Sequence, residues 1–168
     1  VVVCDLSEPR AAAELYQRLQ SQQLQIDHLV NNAGFGVLGK FSGLSESRQV
    51  SMVMVNVVAL TELTRLCLPG MLQRGTGGVL NVGSIAGYQA GPYMSVYYAT
   101  KAYVLSLTEG LREELRDTAL HITLLAPGPT DTGFGEDSGM QKHDMFSSQA
   151  MSAHEVAEAG CHGYRRHE

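Results

Sequence analysis

The sequence carries only three cysteines, Cys4, Cys67 and Cys161, too few and too far apart for a disulfide framework. That set fits a reducing compartment, with the cytoplasm as the expected location. Basic residues are also scarce: 12 Lys and Arg stand against 17 Asp and Glu, a net charge of -5. Such a balance offers no electrostatic footprint for nucleic acid or an anionic membrane. No apolar run reads as long enough to span a bilayer, and no charged leader with a cleavage site opens the chain. Internal repeats and low-complexity tracts are missing. So is an initiator methionine: VVVCDL begins inside what reads as a buried strand, and a fragment of a longer chain is expected.

What is present is ordinary globular material, 44% hydrophobic and 17% charged in 168 residues, enough for one domain with a sizeable core. Residues 1–5 read as a strand, followed by a helix over 9–23 with Ser7 as its cap and Pro9 in its first turn. The continuous apolar run 26–30 reads as a strand buried on both faces that meets a loop at NNAG. Ser45 opens a long apolar-periodic helix over 46–73, bent near its end by Pro69. GGVLNVGS is a third strand, 97–116 a helix, and HITLLAPG a fourth strand. Residues 133–148, rich in Gly, Met, His and Ser, are expected to form a mobile loop. Ser152 and Glu155 then form the capping box of a last helix that reaches about Arg166.

Alternating strands and helices imply an open parallel α/β sheet, in which ligands bind beyond the carboxyl ends of the strands. The unusual residues sit at those ends: Asp5, then Asn31, Asn32, Ala33 and Gly34, then Ser84, then Pro127 and Gly128. Between them lies SIAGYQAGPYMSVYYATK, in which Tyr97 and Lys101 are four residues apart and share one helix face. A free phenol titrates near pH 10, about three units too high for ready proton exchange at neutral pH, and a neighbouring cation lowers it. Tyr97 can thus serve as a general acid/base with Ser84 holding the substrate oxygen, although the pair alone is equally readable as an incidental surface contact.

Asp5-Leu6 after a strand, NNAG, Asn56 within the long helix, Ser84, YYATK and PGPTDT occur in an order that resembles the short-chain dehydrogenase/reductase family over nearly the whole chain. The resemblance implies a truncated, Rossmann-like doubly wound parallel sheet, here a single partial dinucleotide-binding and catalytic domain. It implies NAD or NADP as cofactor, and a proton relay in which Tyr97 is the acid/base, Lys101 lowers its pKa and binds the nicotinamide ribose, Ser84 orients the substrate, and Asn56 helps hold a water beside Lys101. Tyr98 competes for the acid/base role, but Tyr97 fits the family's Tyr-x-Ala-Ser/Thr-Lys spacing, leaving Tyr98 for packing or subunit contact. The cofactor residues carried over are Asp5 and Leu6 toward the adenine, Asn31, Ala33 and Gly34 beside its ribose, Tyr97 and Lys101, and Pro127, Gly128 and Thr132 around the nicotinamide. The implied partners are a small carbonyl or alcohol substrate and further copies of the chain, as a homodimer or homotetramer.

The family's glycine-rich phosphate turn has no counterpart here, because Gly34, Gly36 and Gly39 follow NNAG and do not open a helix of a first βα unit. The opening strand would then correspond to the family's third, with both of its pairing partners missing. Residues 1–168 alone are therefore expected to bind coenzyme poorly, and tight NADH or NADPH binding by that polypeptide would contradict this. His154, Cys161 and His162 make no compact ligand set of known type, so a metal is not expected. The function expected is carbonyl–alcohol interconversion by hydride transfer. Two alternatives stay open: a non-catalytic Rossmann-type binding fragment, and an isomerase or epimerase using the same Tyr–Lys chemistry.

Overall fold

A computed structural model describes residues 1–139 and 150–166. Its core is a parallel sheet of β1 (His28–Asn31), β2 (Gly78–Val82) and β3 (His121–Leu125), in that spatial order. β2 is the central strand, and its residues Gly78 to Asn81 are all buried. This accounts for the run of small and apolar residues there, since a strand covered on both faces has no polar side.

Four helical segments connect β1 to β2: a 3₁₀ turn (Phe41–Gly43), α2 (Glu46–Val53), a π-turn (Met54–Ala59) and α3 (Leu60–Arg74). Ser45 caps α2 by accepting from the Arg48 N–H, and Gly75, in left-handed conformation, ends α3. Pro69 lies within α3, which runs on to Arg74. By length and composition, Glu46–Arg74 is apolar enough to cross a membrane, which corrects the expectation that no such run exists. Here it packs along the sheet. Cys67, Leu68 and Met71 join Val79, Leu120 and Ile122 in the core, with Tyr16, Leu29 and Leu111 against them.

α4 (Ser95–Glu114) connects β2 to β3, and a buried polar chain ties α3 and α4, which share one face of the sheet, to β1 and β2. Asn31 Nδ2 donates to Thr64 Oγ1 at 2.9 Å and to Asn81 Oδ1 at 2.8 Å, while Asn81 Nδ2 donates to Thr108 Oγ1 at 2.9 Å. Amides this deeply buried are tolerated because their donors are matched, and the matching fixes α3 and α4 against the two strands.

The chain ends differ from expectation. Residues 1–5 are not a strand, and Val1 and Val3 are exposed, because none of the described residues runs beside them to take up their backbone groups. The sheet thus has three strands where four were expected. α1 (Ala11–Ser21) starts after Arg10 in left-handed conformation, without a side-chain cap. Ser7 instead donates its N–H and hydroxyl to Asp5 Oδ1, forming a local turn in place of the expected cap. A short parallel pair, β4 (Thr130–Asp131) with β5 (Met151–Ser152), follows β3. Between them α5 (Phe134–Ser138) occupies part of the stretch expected to be a mobile loop; residues 140–149, with Met140, Met145 and Phe146, lie outside the described residues. α6 (Ala153–Arg166) begins with the expected capping box, Glu155 N–H donating to Ser152 Oγ at 3.2 Å and Ser152 N–H to Glu155 Oε2 at 2.8 Å.

Candidate active site

The carboxyl ends of β1 and β2 and the first turns of α4 bring the central residues together. Ser84 follows β2 and precedes a 3₁₀ turn, Ile85–Tyr88. Its Oγ accepts from the Ala86 N–H at 3.1 Å, and the Ile85 N–H donates to Pro127 O at 3.1 Å, so the loops after β2 and β3 are stitched side by side. Gly128 continues that contact, with room for a Cβ 3.8 Å from the Ile85 side chain.

Tyr97 lies in the first turn of α4, with its phenol near enough to Ser84 for the two side chains to interact electrostatically. Burial raises the Tyr97 pKa above its ordinary value, the nearby Ser84 hydroxyl opposes this, and the proximity of Tyr98 adds to the rise. The net direction corrects the expectation of a phenol depressed by Lys101. The cause is distance and solvent: the Lys101 Nζ stands 5.8 Å from the Tyr97 ring centroid and donates instead to Val82 O at 2.8 Å. Burial also pushes Lys101 down to about 8, because an ammonium loses hydration there.

That shift has a measurable consequence. An unfolded lysine keeps its ordinary value of 10.5, so between about pH 8 and 10.5 the unfolded chain binds more protons at this position than the folded one. Stability contributed here rises with pH through that window, and the cost of burying the charge is fully present below it. Urea unfolding of wild type and Lys101→Met at pH 8 and pH 10 should show wild type gaining about 2 kcal/mol relative to the variant. Parallel pH dependences would contradict a buried, depressed lysine.

Asn56, 2% exposed, sits in the π-turn beside Lys101. Its Nδ2 donates to Phe35 O at 2.9 Å and Thr100 Oγ1 at 3.1 Å, and its Oδ1 accepts from the Phe35 N–H at 3.1 Å. One lone pair of Oδ1 is therefore the side chain's remaining hydrogen-bonding position. Gly34 closes this corner: a Cβ there would come within 3.1 Å of Asn56 Oδ1 and 3.7 Å of Lys101 Nζ. Small residues at NNAG thus keep a path open to the lysine.

The other sequence-derived residues are more dispersed. Leu6, Asn31, Asn32 and Ala33 line a groove of about 320 Å³ between α1, β1 and α3. Asn31 itself is buried and spent on the polar chain through the sheet. Asp5 points into its own turn, where hydrogen bonds from Ser7 hold its carboxyl below the ordinary value. Thr132 Oγ1 accepts from the Phe134 N–H at 3.2 Å and so starts α5. The Tyr98 ring lies over Gly91, where a Cβ would come within 2.3 Å of it. Among the described residues no group of three His, Cys, Asp or Glu side chains stands close enough to hold a metal.

The family model for short chain dehydrogenases matches residues 1–143. The chain belongs to the short-chain dehydrogenase/reductase family. It is 36% identical over 135 residues to the ketoacyl reductase HetN of Nostoc sp., covering 80% of this chain and 47% of that protein. Human dehydrogenase/reductase SDR family member 11 is 35% identical over 159 residues, 90% of this chain and 59% of that protein. A short-chain dehydrogenase from Sphingobium yanoikuyae, solved in complex with NADPH, superposes with a TM-score of 0.86 at 31% identity, over 98% of this chain and 63% of that one. The chain thus spans about half to two thirds of the length of these relatives, and its three-stranded sheet is part of a Rossmann-like fold.

Further side chains bear on the site, and Phe134 among them has no signal along the chain. Thr100 binds Asn56 and also donates to Tyr97 O at 2.7 Å. Phe134 packs on the Tyr97 ring, with centroids 5.2 Å apart. The π-turn that holds Asn56 did carry a signal: Val53, Val55, Val57 and Val58 crowd β-branched side chains where a regular helix is least favoured.

Proposed function

We propose that the intact protein is an NAD(P)-dependent oxidoreductase interconverting a carbonyl and a secondary alcohol, with Tyr97, Lys101, Ser84 and Asn56 as its proton-handling group. The observation that carries this reading is that Ser84, Tyr97 and the buried Lys101 gather where β2 ends, with Lys101 Nζ on Val82 O at 2.8 Å and 5.8 Å from the Tyr97 ring centroid. The NADPH bound by the Sphingobium relative supports a nicotinamide coenzyme. The residues present fit the nicotinamide-ribose end of one, because Gly34 leaves the Lys101 ammonium reachable beside Asn56. Gly128 and Thr132 would face its carboxamide, and Asp5, Leu6 and Ala33 its adenosine end.

A bound nicotinamide supplies or accepts the hydride. Ser84 Oγ would hold the substrate oxygen, and the Tyr97 phenol would give it a proton during reduction. Burial keeps the phenol protonated through neutral pH, so it holds the proton that reduction consumes, while ready transfer requires its pKa to come down, the part proposed for Lys101 in the coenzyme-bound site. Oxidation needs the phenolate, so its rate should rise with pH while reduction falls at high pH. Lys101, near 8, can return a proton at little cost, with a water on the free lone pair of Asn56 leading to solvent.

Coenzyme consumption tests this reading in the intact protein with both coenzymes and a panel of ketones and aldehydes. Steady oxidation of NADH or NADPH is expected. Substrate conversion without net consumption would favour an epimerase, and binding without turnover a non-catalytic protein.

Assembly as a homodimer or homotetramer is supported by the exposed Val50, Val53 and Val58 along the α2 and π-turn segment. Tyr103 of α4, partly exposed beside them, joins that face through its hydroxyl, 2.9 Å from Thr61 Oγ1.

A further inference from the structure

One flank of the Tyr97 ring is built from two pieces of chain remote in sequence. Gly36 lies in the loop after β1, and Phe134 opens α5. A Cβ at Gly36 would fall 2.7 Å from Phe134 Cζ, 3.1 Å from Met94 Cε and 3.2 Å from Tyr97 Cδ2. The edge of the Phe134 ring therefore occupies the space that a side chain at position 36 would take. The same ring is tilted 50° against Tyr97 at 5.2 Å.

One backbone hydrogen bond joins the two pieces, and a second ties the loop to the residues just before α4. Leu38 N–H donates to Ser138 O at 2.9 Å, and Gly39 N–H donates to Tyr93 O at 2.8 Å. Ser138 is buried and its hydroxyl turns back to Gly135 O at 3.0 Å, so α5 is fastened to the loop at its far end. Phe134 N–H on Thr132 Oγ1 fastens the near end. A rigid aromatic wall beside an acid/base phenol offers no hydrogen-bond partner to substrate, and it takes up volume there.

We propose that Phe134 is a specificity-determining residue, size-matched to Gly36, and that the pair limits the bulk of the apolar substituent a carbonyl substrate can carry on this flank of Tyr97. The proposal rests on the acid/base reading of Tyr97. It reaches past that reading to the substrate class: carbonyl compounds with one small apolar arm are favoured, and the ring excludes larger ones.

The test uses the intact protein with its coenzyme and a graded series of methyl, ethyl, propyl and phenyl ketones. Phe134→Ala, with Phe134→Leu in case the first folds poorly, should raise kcat/KM for the bulkiest ketone relative to the smallest by about tenfold or more. Gly36→Ala should lower both Tm and kcat/KM across the series, and adding Phe134→Ala should restore much of both. A Phe134 variant that turns over substrate with the wild-type size ranking would overturn the specificity role. Tm changes that merely add in the double variant would overturn the size-matched pair. Should wild type turn over none of the ketones, the oxidoreductase reading fails and the specificity role fails with it, whereas the Tm cycle still decides whether the two residues are packed as described.

Discussion

Tyr97→Phe in the intact protein is expected to lower kcat by about 10³-fold, within the range that positioned acid/base groups contribute. Coenzyme affinity should change little, because the phenyl ring still packs against Phe134 and Tyr98. Stability should change by about 1 kcal/mol or less, since the variant removes only the hydroxyl and its interaction with nearby Ser84. Tyr98→Phe is the matched control. That ring rests on Gly91, so its hydroxyl is dispensable for turnover and the variant should stay near wild type. Unchanged turnover in Tyr97→Phe, or a comparable loss in Tyr98→Phe, would move the acid/base role away from Tyr97.

Gly87→Ala is the second large effect. A Cβ at Gly87 would meet Lys101 O at 2.7 Å and Lys101 C at 3.0 Å, both backbone atoms that cannot swing aside. The turn carrying Gly87 also carries Ser84, whose carbonyl accepts from the Gly87 N–H at 3.0 Å. Adding the methyl must push this turn off α4, and Ser84 moves with it relative to Tyr97. Overpacking of this kind costs about 1–3 kcal/mol, and a misplacement near 1 Å between reacting groups costs about 10²-fold in rate. The expected result is a lower Tm together with a lower kcat and a nearly unchanged KM for coenzyme. Wild-type Tm and kcat would show that the Ser84 turn has slack and that its spacing from α4 is unimportant.

Much of this arrangement was legible because it is local. Four-residue spacing placed Lys101 one turn beyond Tyr97, Ser45 opened the long helical segment, and the Ser152–Glu155 box marked the last helix. NNAG after a continuous apolar run located the end of β1. The errors arose where a residue's state depends on remote partners. Val1–Val3 have strand composition, yet a strand exists only through pairing, and no neighbour among the described residues supplies it. Proximity along a helix suggested that Lys101 depresses Tyr97, whereas the carbonyl of Val82, a backbone group with no side-chain signature, draws the ammonium away. Phe134 belongs to the same class: nothing near it in sequence shows that it fills the space beside Gly36.

The central claim is that Tyr97 protonates a carbonyl oxygen while a hydride reaches the carbonyl carbon. Reduced coenzyme deuterated at its transferring carbon tests this most directly, incubated with the intact protein and a ketone that it consumes. The account predicts deuterium on the carbinol carbon of the product, appearing in step with coenzyme oxidised, and almost none with Tyr97→Phe. Conversion of substrate by wild type with no deuterium in the product would contradict it.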